Sequence, residues 1–411
     1  MYWFIALISL FAMAVDALFY RLRIRRRVKS RAGRIAFVCF ALVSDLMPAF
    51  ILLLYRLLPD NPTPAVKAAM WLMFVYLLTL LPRLAYYLVS LLGRRPAVRL
   101  VAMAAALGCV ALLVWGAVRG RRAIVVNRVT IASDRLPEAF RGLRIVQFSD
   151  THIGSMVNSR RELRALVDTI NGLRPDLVVF SGDLVNIRYT ELDQPAREIL
   201  GAIRAPFGVV STLGNHDVGI YVKDTVALPP EVNTARLIGL QREMGWNMLL
   251  DSTVYLHRGG DSISLSGVSF DRSMYRFRHT ADVPIPGLEP VYAGVPAELF
   301  NVTVSHLPQL RHNIADLGYG DLILAGHVHS MQIKMRIGKR RFSPAQWFYD
   351  EWSGLYDNDG HRLYINDGIG YVGFPMRLGA YPGGSAPARA PAGGVDPVGH
   401  LAQGAFAVVG G

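Results

Sequence analysis

Cysteine is nearly missing: 411 residues contain two, Cys39 and Cys109, both in apolar runs. The C-terminal two thirds therefore have no disulfide framework and no thiolate zinc site. Charge is scarce as well, at 18% of residues against about 25% in ordinary soluble domains. With 52% apolar residues, that composition excludes a disordered chain. Acidic residues are almost absent early on: residues 1–122 hold 3 Asp/Glu beside 17 Lys/Arg. Residues 123–411 hold 27 basic and 28 acidic side chains, so the whole +13 surplus sits in the first third. The remainder thus has no basic excess for a nucleic-acid surface, and no nucleic-acid partner is expected. Histidine is missing before residue 123, and all ten lie beyond it.

What the first third has is long apolar runs. Four are visible, at about 1–20, 35–58, 66–92 and 97–118. A helix crossing the hydrocarbon needs about 20 residues, so each is expected to span a bilayer. A soluble bundle of buried helices would show polar faces, and stretches such as Trp71–Leu81 have almost none. A cleaved leader is disfavoured for the first run, because no basic segment precedes it and no small-x-small site follows. Asp45 and Arg83 lie deep inside spans, where pairing with each other or through water is the expected structural answer. Eight Lys/Arg in residues 21–34 and three around residues 93–99 put those loops in the cytoplasm. Four spans then leave the C-terminal part on the extracytoplasmic, periplasmic side. Arg119, Arg121 and Arg122 oppose that orientation.

From about Ala123 the texture becomes that of an α/β domain. Buried strands are expected at Leu143–Phe148, Leu177–Phe180, Gly208–Leu213, Ile263–Val268, Phe300–Val304, Leu322–Ala325 and Leu363–Ile365. Helices are expected at Ser159–Leu173, with Leu163, Leu166, Val167 and Ile170 on one face, and near Leu192–Ile203. Residues 383–411, rich in Gly, Pro and Ala, read as a flexible tail. The expected division is 1–122 membrane region, 123–382 catalytic domain, 383–411 tail.

Polar fragments follow the expected strands: Asp150-Thr151-His152, Gly182-Asp183, Gly214-Asn215-His216-Asp217, Ser305-His306 and Gly326-His327-Val328-His329. The carboxyl ends of strands are where α/β proteins bind ligands. Carboxylate, amide oxygen and imidazole are metal ligands, and His-x-His or Asp-x-His on a loop aims two of them at one centre. Each fragment alone is a common turn. Five of the ten histidines falling into five ordered fragments is not.

This order of fragments resembles the calcineurin-like metallophosphoesterase superfamily, over about Leu143 to Tyr381, and within it the bacterial branch with membrane segments ahead of the domain. The stretch from Leu363 to Gly379 is similar to that branch's closing segment. Two departures stand out. Ser330-Met331-Gln332 replaces the branch's frequent Gly-Gly-Gln, and Pro382-Gly383 replaces a Pro-Glu.

The resemblance implies a four-layer sandwich of two mixed β-sheets flanked by helices, preceded here by a four-helix transmembrane region. It implies two divalent transition-metal ions (Mn, Fe or Zn). One would be held by Asp150, His152, Asp183 and His329, the other by Asp183, Asn215, His306 and His327, with Asp183 shared. His216 would stand beside the metals without ligating them, and Asp217 would orient His216. Two divalent ions with two aspartates leave about +2, which attracts phosphate and lowers the pKa of water. The expected reaction is attack of that metal-activated hydroxide on phosphorus, with His216 stabilising a phosphoryl oxygen or protonating the leaving group. The expected function is a membrane-anchored phosphoesterase cleaving a phosphate ester or pyrophosphate bond. A lipid-linked substrate follows only from proximity to the bilayer. The rival is a membrane scaffold or sensor that binds ligand without turnover; the complete ligand set argues against it.

Overall fold

The computed structural model describes residues 2–276, 287–338, 340–358, 360–381 and 406–410. Two units emerge: Met1–Val118 with Gly373–Met376, and Arg119–Val372 with Arg377–Gly411. The first is helical, with α1 (Tyr2–Phe19), α2 (Arg31–Leu57), α3 (Thr63–Leu91) and α4 (Pro96–Val118). Ser30 starts α2 by accepting the Gly33 N–H at 3.0 Å. Proline opens α4 and stands in the first turn of α3, where its missing N–H costs nothing.

These helices are inverted relative to soluble ones. In α2 the buried stripe is Ala41, Ser44, Asp45, Pro48 and Ile51, mostly small or polar. Leu46, Phe50, Leu53 and Leu57 face outward. That is how a helix meets lipid: the apolar solvent takes the large side chains and the polar groups turn inward. Among the described residues, three helices are long and apolar enough to cross a membrane: α2, α3 and the run starting at Pro96. The chain is membrane-associated on these grounds.

Arg83 is the hub of this unit. Its guanidinium lies 2.5 Å from Asp45 and 2.9 Å from Asp16, and Tyr87 donates to Asp16 at 2.7 Å. The pairing expected between Asp45 and Arg83 is present. Asp16, from a third helix, completes it.

In the second unit the strands are β1 (Asn127–Ile131), β2 (Arg144–Phe148), β3 (Leu177–Phe180), β4 (Val209–Ser211), β5 (Trp246–Met248), β6 (Ser252–Arg258) and β7 (Asp261–Val268). They continue as β8 (Asn301–Ser305), β9 (Leu322–Ala325), β10 (Met335–Ile337), β11 (Arg340–Phe342), β12 (Gly354–Asn358), β13 (His361–Ile365) and β14 (Phe406–Gly410). One six-stranded sheet runs β1-β14-β2-β3-β4-β5, parallel from β2 to β5. The other runs β12-β13-β9-β8-β7-β6, parallel through β7, β8, β9 and β13, with antiparallel strands at both edges. The fold is mixed α/β. The reading of 383–411 as a tail lies outside the described residues for 382–405, whereas Phe406–Gly410 pairs with β1 and β2.

Alternation along each strand distributes the core. Ile145, Leu177, Val179 and Val210 from the first sheet share a cluster with Ile263, Leu265, Val302, Val304, Leu322 and Leu324 from the second. The opposite residues of the first sheet, including Val146, Phe148 and Phe180, pack on α5 (Ser159–Gly172), α6 (Gln194–Leu200) and α7 (Pro230–Glu243). In α5 the four expected residues Leu163, Leu166, Val167 and Ile170 are the buried apolar ones, and Asn158 caps the helix at the Arg161 N–H. On the second sheet, Ile323, Ala325, Leu363 and Ile365 cluster with Leu310 and with Ile314 of α8 (Arg311–Asp316). Because both faces are covered, β3 is buried at every residue and reads as a continuous apolar run.

Removing one partner from a buried ion pair leaves the others uncompensated, at a cost of about 3–5 kcal/mol. Arg83→Leu is therefore expected to lower the unfolding temperature of the detergent-solubilised chain sharply, and Arg83→Leu with Asp45→Asn and Asp16→Asn to recover part of the loss. Thermal denaturation of the purified full chain checks this.

Candidate metal centre

Five parallel strands from both sheets end at one place. β2 leads to Asp150 and His152, β3 to Asp183, β4 to Asn215–Asp217, β8 to His306 and β9 to His327 and His329. All seven expected ligands and His216 are gathered there. The turns need unusual backbone. Asp150, His152, Asp183, His327 and His329 all have positive φ, between 44° and 74°. Such left-handed residues cost about 1–2 kcal/mol each for non-glycine side chains, so the surrounding turns must fix them. Glycines supply the close approaches: a Cβ on Gly214 would lie 2.2 Å from Asp183 Oδ1, and one on Gly326 2.5 Å from Asp150 Oδ2.

The ligand atoms form two overlapping groups. In the first, His152 Nε2 and His329 Nε2 are 3.0 Å apart, and Asp150 Oδ1 is 3.1 Å from His329 Nε2. In the second, Asn215 Oδ1 lies 3.1 Å from His306 Nε2 and 2.9 Å from His327 Nδ1. Asp183 Oδ2 lies between them, 3.6 Å from His152 Nε2 and 3.2 Å from His306 Nε2. Donors about 2.1 Å from a shared ion at octahedral or tetrahedral angles stand about 3.0–3.4 Å apart. Four of the six spacings fall in that range, with Asn215 to His327 slightly shorter and Asp183 to His152 slightly longer.

Charge gives a second test of fit. Asp150 and Asp183 are 0% and 2% exposed, and their ion pairs among the described residues go to histidines. Burial alone would raise both carboxyls; His329 beside Asp150, and His306 and His216 beside Asp183, hold them below the ordinary range. Burial, then the charge of His216, lowers His152 well below its ordinary value. His306 is pushed up to about 9: burial works against this, and the Asp183 carboxylate outweighs it. The two buried carboxylates thus stand among imidazoles of opposite tendency, His306 pushed up and His152 pushed down. The donor set of oxygen and imidazole without sulfur fits divalent transition ions.

His216 also belongs to a cluster that could hold an ion, with ligand atoms of His152, Asp183 and His216 within 4.8 Å of one another. His216 Nδ1 meets the Asn186 carbonyl at 2.6 Å, which fixes the proton on Nδ1 and leaves Nε2 turned away from that bond. The ring stacks on Tyr221 (centroids 4.2 Å apart) and meets His152 edge-on at 4.6 Å. Its backbone N–H donates to Asp183 Oδ1 at 2.7 Å. Burial lowers its pKa.

Asp217 does not reach the His216 ring in the way its expected role requires. Its carboxylate accepts four backbone N–H groups: Asp183 at 2.7 Å, Leu184 at 2.9 Å, Val185 at 3.2 Å and Gly214 at 2.9 Å. It staples the Asp183 turn to the Asn215 turn. Burial and the Asp183 charge push its pKa up to about 7.

Several neighbours were not legible in the fragments. Arg377 is fully buried and spans the carbonyls of Gly370, Asp367 and Ala380, with its Nη2 3.1 Å from His329 Nδ1. Burial pushes it down to about 10. Its one signal was its place in the closing segment. Asn215 Nδ2 donates to Tyr221 at 2.9 Å, which turns the amide oxygen toward the histidines. Asn186 acts through its carbonyl and leaves no side-chain signature. Ser330 and Met331, which stand where the branch often has two glycines, and Gln332 all adopt positive φ, at 48°, 45° and 62°. Ser330 and Lys334 both bond Asp367, which holds this loop.

Comparison with known proteins agrees with this geometry. The family described as calcineurin-like phosphoesterase matches residues 143–331. The chain is 30% identical over 257 residues to the uncharacterized metallophosphoesterase YkuE of Bacillus subtilis, covering 62% of this chain and 81% of that protein. It is 31% identical over 278 residues to a zebrafish (Danio rerio) transmembrane protein with metallophosphoesterase domain, covering 65% of this chain and 57% of that one. It is 24% identical over 293 residues to the UDP-2,3-diacylglucosamine pyrophosphatase LpxG of Chlamydia trachomatis, covering 59% and 83%. The chain belongs to the calcineurin-like phosphoesterase family. It is a metal-dependent phosphoric ester hydrolase with helices long and apolar enough to cross a membrane.

Asp217→Asn would set an amide NH2 against two backbone N–H groups. Disturbing a supporting partner of a metal ligand typically costs about 10–100-fold in metal affinity. Weaker metal uptake of that order, measured by titration with a metallochromic competitor, is expected. Met331 is 40% exposed at φ 45°. Met331→Gly is expected to raise stability by about 1 kcal/mol through relief of left-handed strain, measured by chemical denaturation.

Proposed function

We propose that the chain is a membrane-anchored dinuclear-metal phosphoesterase that cleaves a phosphate ester or pyrophosphate bond. The observation that carries this reading is the place of Asp183, whose Oδ2 faces His152 on one side and His306 on the other. A carboxylate in that position can serve two ions at once. Asp150, His152, Asp183 and His329 would hold one, and Asp183, Asn215, His306 and His327 the other. Mixed nitrogen and oxygen ligation favours manganese, iron or zinc. Bound there, two divalent ions supply the positive charge that phosphoryl oxygens need and lower the pKa of water.

The chain's own residues do the rest. Asp217 and the glycines of the turns hold the ligands in place before substrate arrives. His216, fixed through Nδ1 by Asn186 and steadied by Tyr221, presents Nε2 to a phosphoryl oxygen or to the leaving oxygen. Proton donation of that kind contributes about 10²–10⁴-fold.

We assign the membrane part to residues 1–122, with α1 as a fourth span, and the catalytic part to 123–382. The core clusters on both faces of each sheet support a four-layer arrangement. The loop charges favour an extracytoplasmic catalytic part. Arg121 weighs less against it than its charge implies, since it is 8% exposed and paired with Glu162 at 2.6 Å. The likeness to a protein named as a UDP-2,3-diacylglucosamine pyrophosphatase, together with the spans, supports a lipid-linked phosphate or pyrophosphate as substrate.

Asp183→Asn is expected to deplete both metals, whereas His216→Ala keeps the metal content and lowers kcat by about 10²–10⁴-fold. Elemental analysis of both variants, beside release of p-nitrophenol from mono- and bis-nitrophenyl phosphates, checks this. Equal metal loss in the two would overturn the assigned roles.

A further inference from the structure

A second polar site lies in the catalytic unit away from the metal ligands. A cavity of about 320 Å³ is lined by Arg119, Arg121, Arg122, Arg161 and Glu162, with an apolar wall that includes Ile124 and Ile369. None of the seven metal-ligand candidates lines it. Four arginines and one glutamate line it, a formal charge of +3.

That carboxylate is already engaged. Glu162 Oε1 takes Arg121 Nη1 at 2.6 Å and the Asn158 N–H at 3.1 Å, and Oε2 takes the Tyr371 hydroxyl at 3.3 Å. Arg121 also lies over the Tyr371 ring, 5.8 Å from its centroid. The network fixes the floor of the cavity rather than filling it. Arg161 and Glu162 belong to the first turn of α5, so the positive end of that helix adds to the same wall. Arg119 and Arg161 are exposed, so the cavity opens to the outside at its basic rim.

We propose that this cavity binds a phosphate group, as a second anion site beside the metal centre. Guanidiniums suit phosphate because their planar N–H forks match its oxygens two at a time. The volume lies at the small end of ligand pockets, which run about 300–1,000 Å³, so it takes a headgroup rather than a whole lipid. The apolar wall adds a preference for a phosphate that carries an apolar neighbour. Arg119 directly follows Val118, the last residue of α4, so an anionic lipid headgroup and a free phosphate ester are the two sources to separate. The wall also touches the metal loops by chain continuity: Met156 follows the His152 turn, and the Ile369 N–H donates to the Ser149 carbonyl at 3.0 Å.

The test uses the full chain in neutral detergent with its metals present. Binding of dioctanoyl phosphatidic acid, dioctanoyl phosphatidylcholine and inorganic phosphate is measured by calorimetry for the wild type, Arg119→Ala/Arg161→Ala and Arg119→Lys/Arg161→Lys. The metal centre is common to all three, so differences report the cavity. The alanine pair is expected to weaken phosphatidic acid by about tenfold or more, as removal of charge-assisted hydrogen bonds does, and the lysine pair to retain most of the affinity. Competition by inorganic phosphate that the alanine pair loses identifies the phosphate group alone as sufficient; cavity-dependent binding of phosphatidic acid without such competition identifies the lipid as the source. Ala165→Phe, which fills the cavity from α5 without changing charge, guards against a folding defect in the alanine pair and should weaken the same ligand. Unchanged affinity in a folded alanine pair or in folded Ala165→Phe overturns the proposal.

Discussion

Two carboxylates without water are the constraint on which the catalytic unit turns. Asp150 and Asp183 are withdrawn from solvent and set within reach of each other's histidines. Like charges in a dry interior repel strongly, and imidazole answers them only by taking up a proton. The rest of the architecture is arranged to keep them there. Parallel strands from two sheets end together, so that each contributes one turn. The turns are held by backbone N–H groups donating to Asp217 and Asp150, including His327 N–H to Asp150 Oδ1 at 3.0 Å. Left-handed backbone at five of the seven ligand positions is the local cost, and the burial of β2, β3, β4, β8 and β9 on both faces offsets it.

The same logic recurs in the helical unit with the sign reversed. There a buried cation, Arg83, is answered by Asp16 and Asp45 from two other helices. In both units the polar cluster is small, largely buried and built from elements far apart in sequence. Hydrophobic matter supplies the bulk of the packing, and a few charges set which elements meet.

The sequence reveals these features unevenly, for physical reasons. Strands buried on both faces appear as apolar runs, so β3 and β9 were legible to the residue. β6, with its mixed exposure, and α7, whose apolar residues form no clear stripe, were not. The candidate ligands stand out in the sequence because metal chemistry restricts residue type and strand ends restrict position. Asp217 was seen but its partners were not, since four backbone N–H groups leave no trace in a sequence. Asn186 escaped for the same reason. Arg377 and Tyr221 act across 48 and 6 positions respectively, and neither spacing follows from a helix or strand period. Asp16 joins Arg83 only once the rotation of each helix is known.

Arg119, Arg121 and Arg122 illustrate how one charge run can carry two meanings. Counted as loop charges, they vote on which side of a bilayer the loop stays. Counted in the fold, Arg121 is spent on Glu162 and Tyr371, and all three line one cavity with Arg161. Arg23, among the charges of residues 21–34, is likewise buried and engaged, its Nη2 donating to the Ser90 carbonyl at 2.6 Å. The topology rule reads composition, and it weakens wherever tertiary structure gives a basic residue a specific partner.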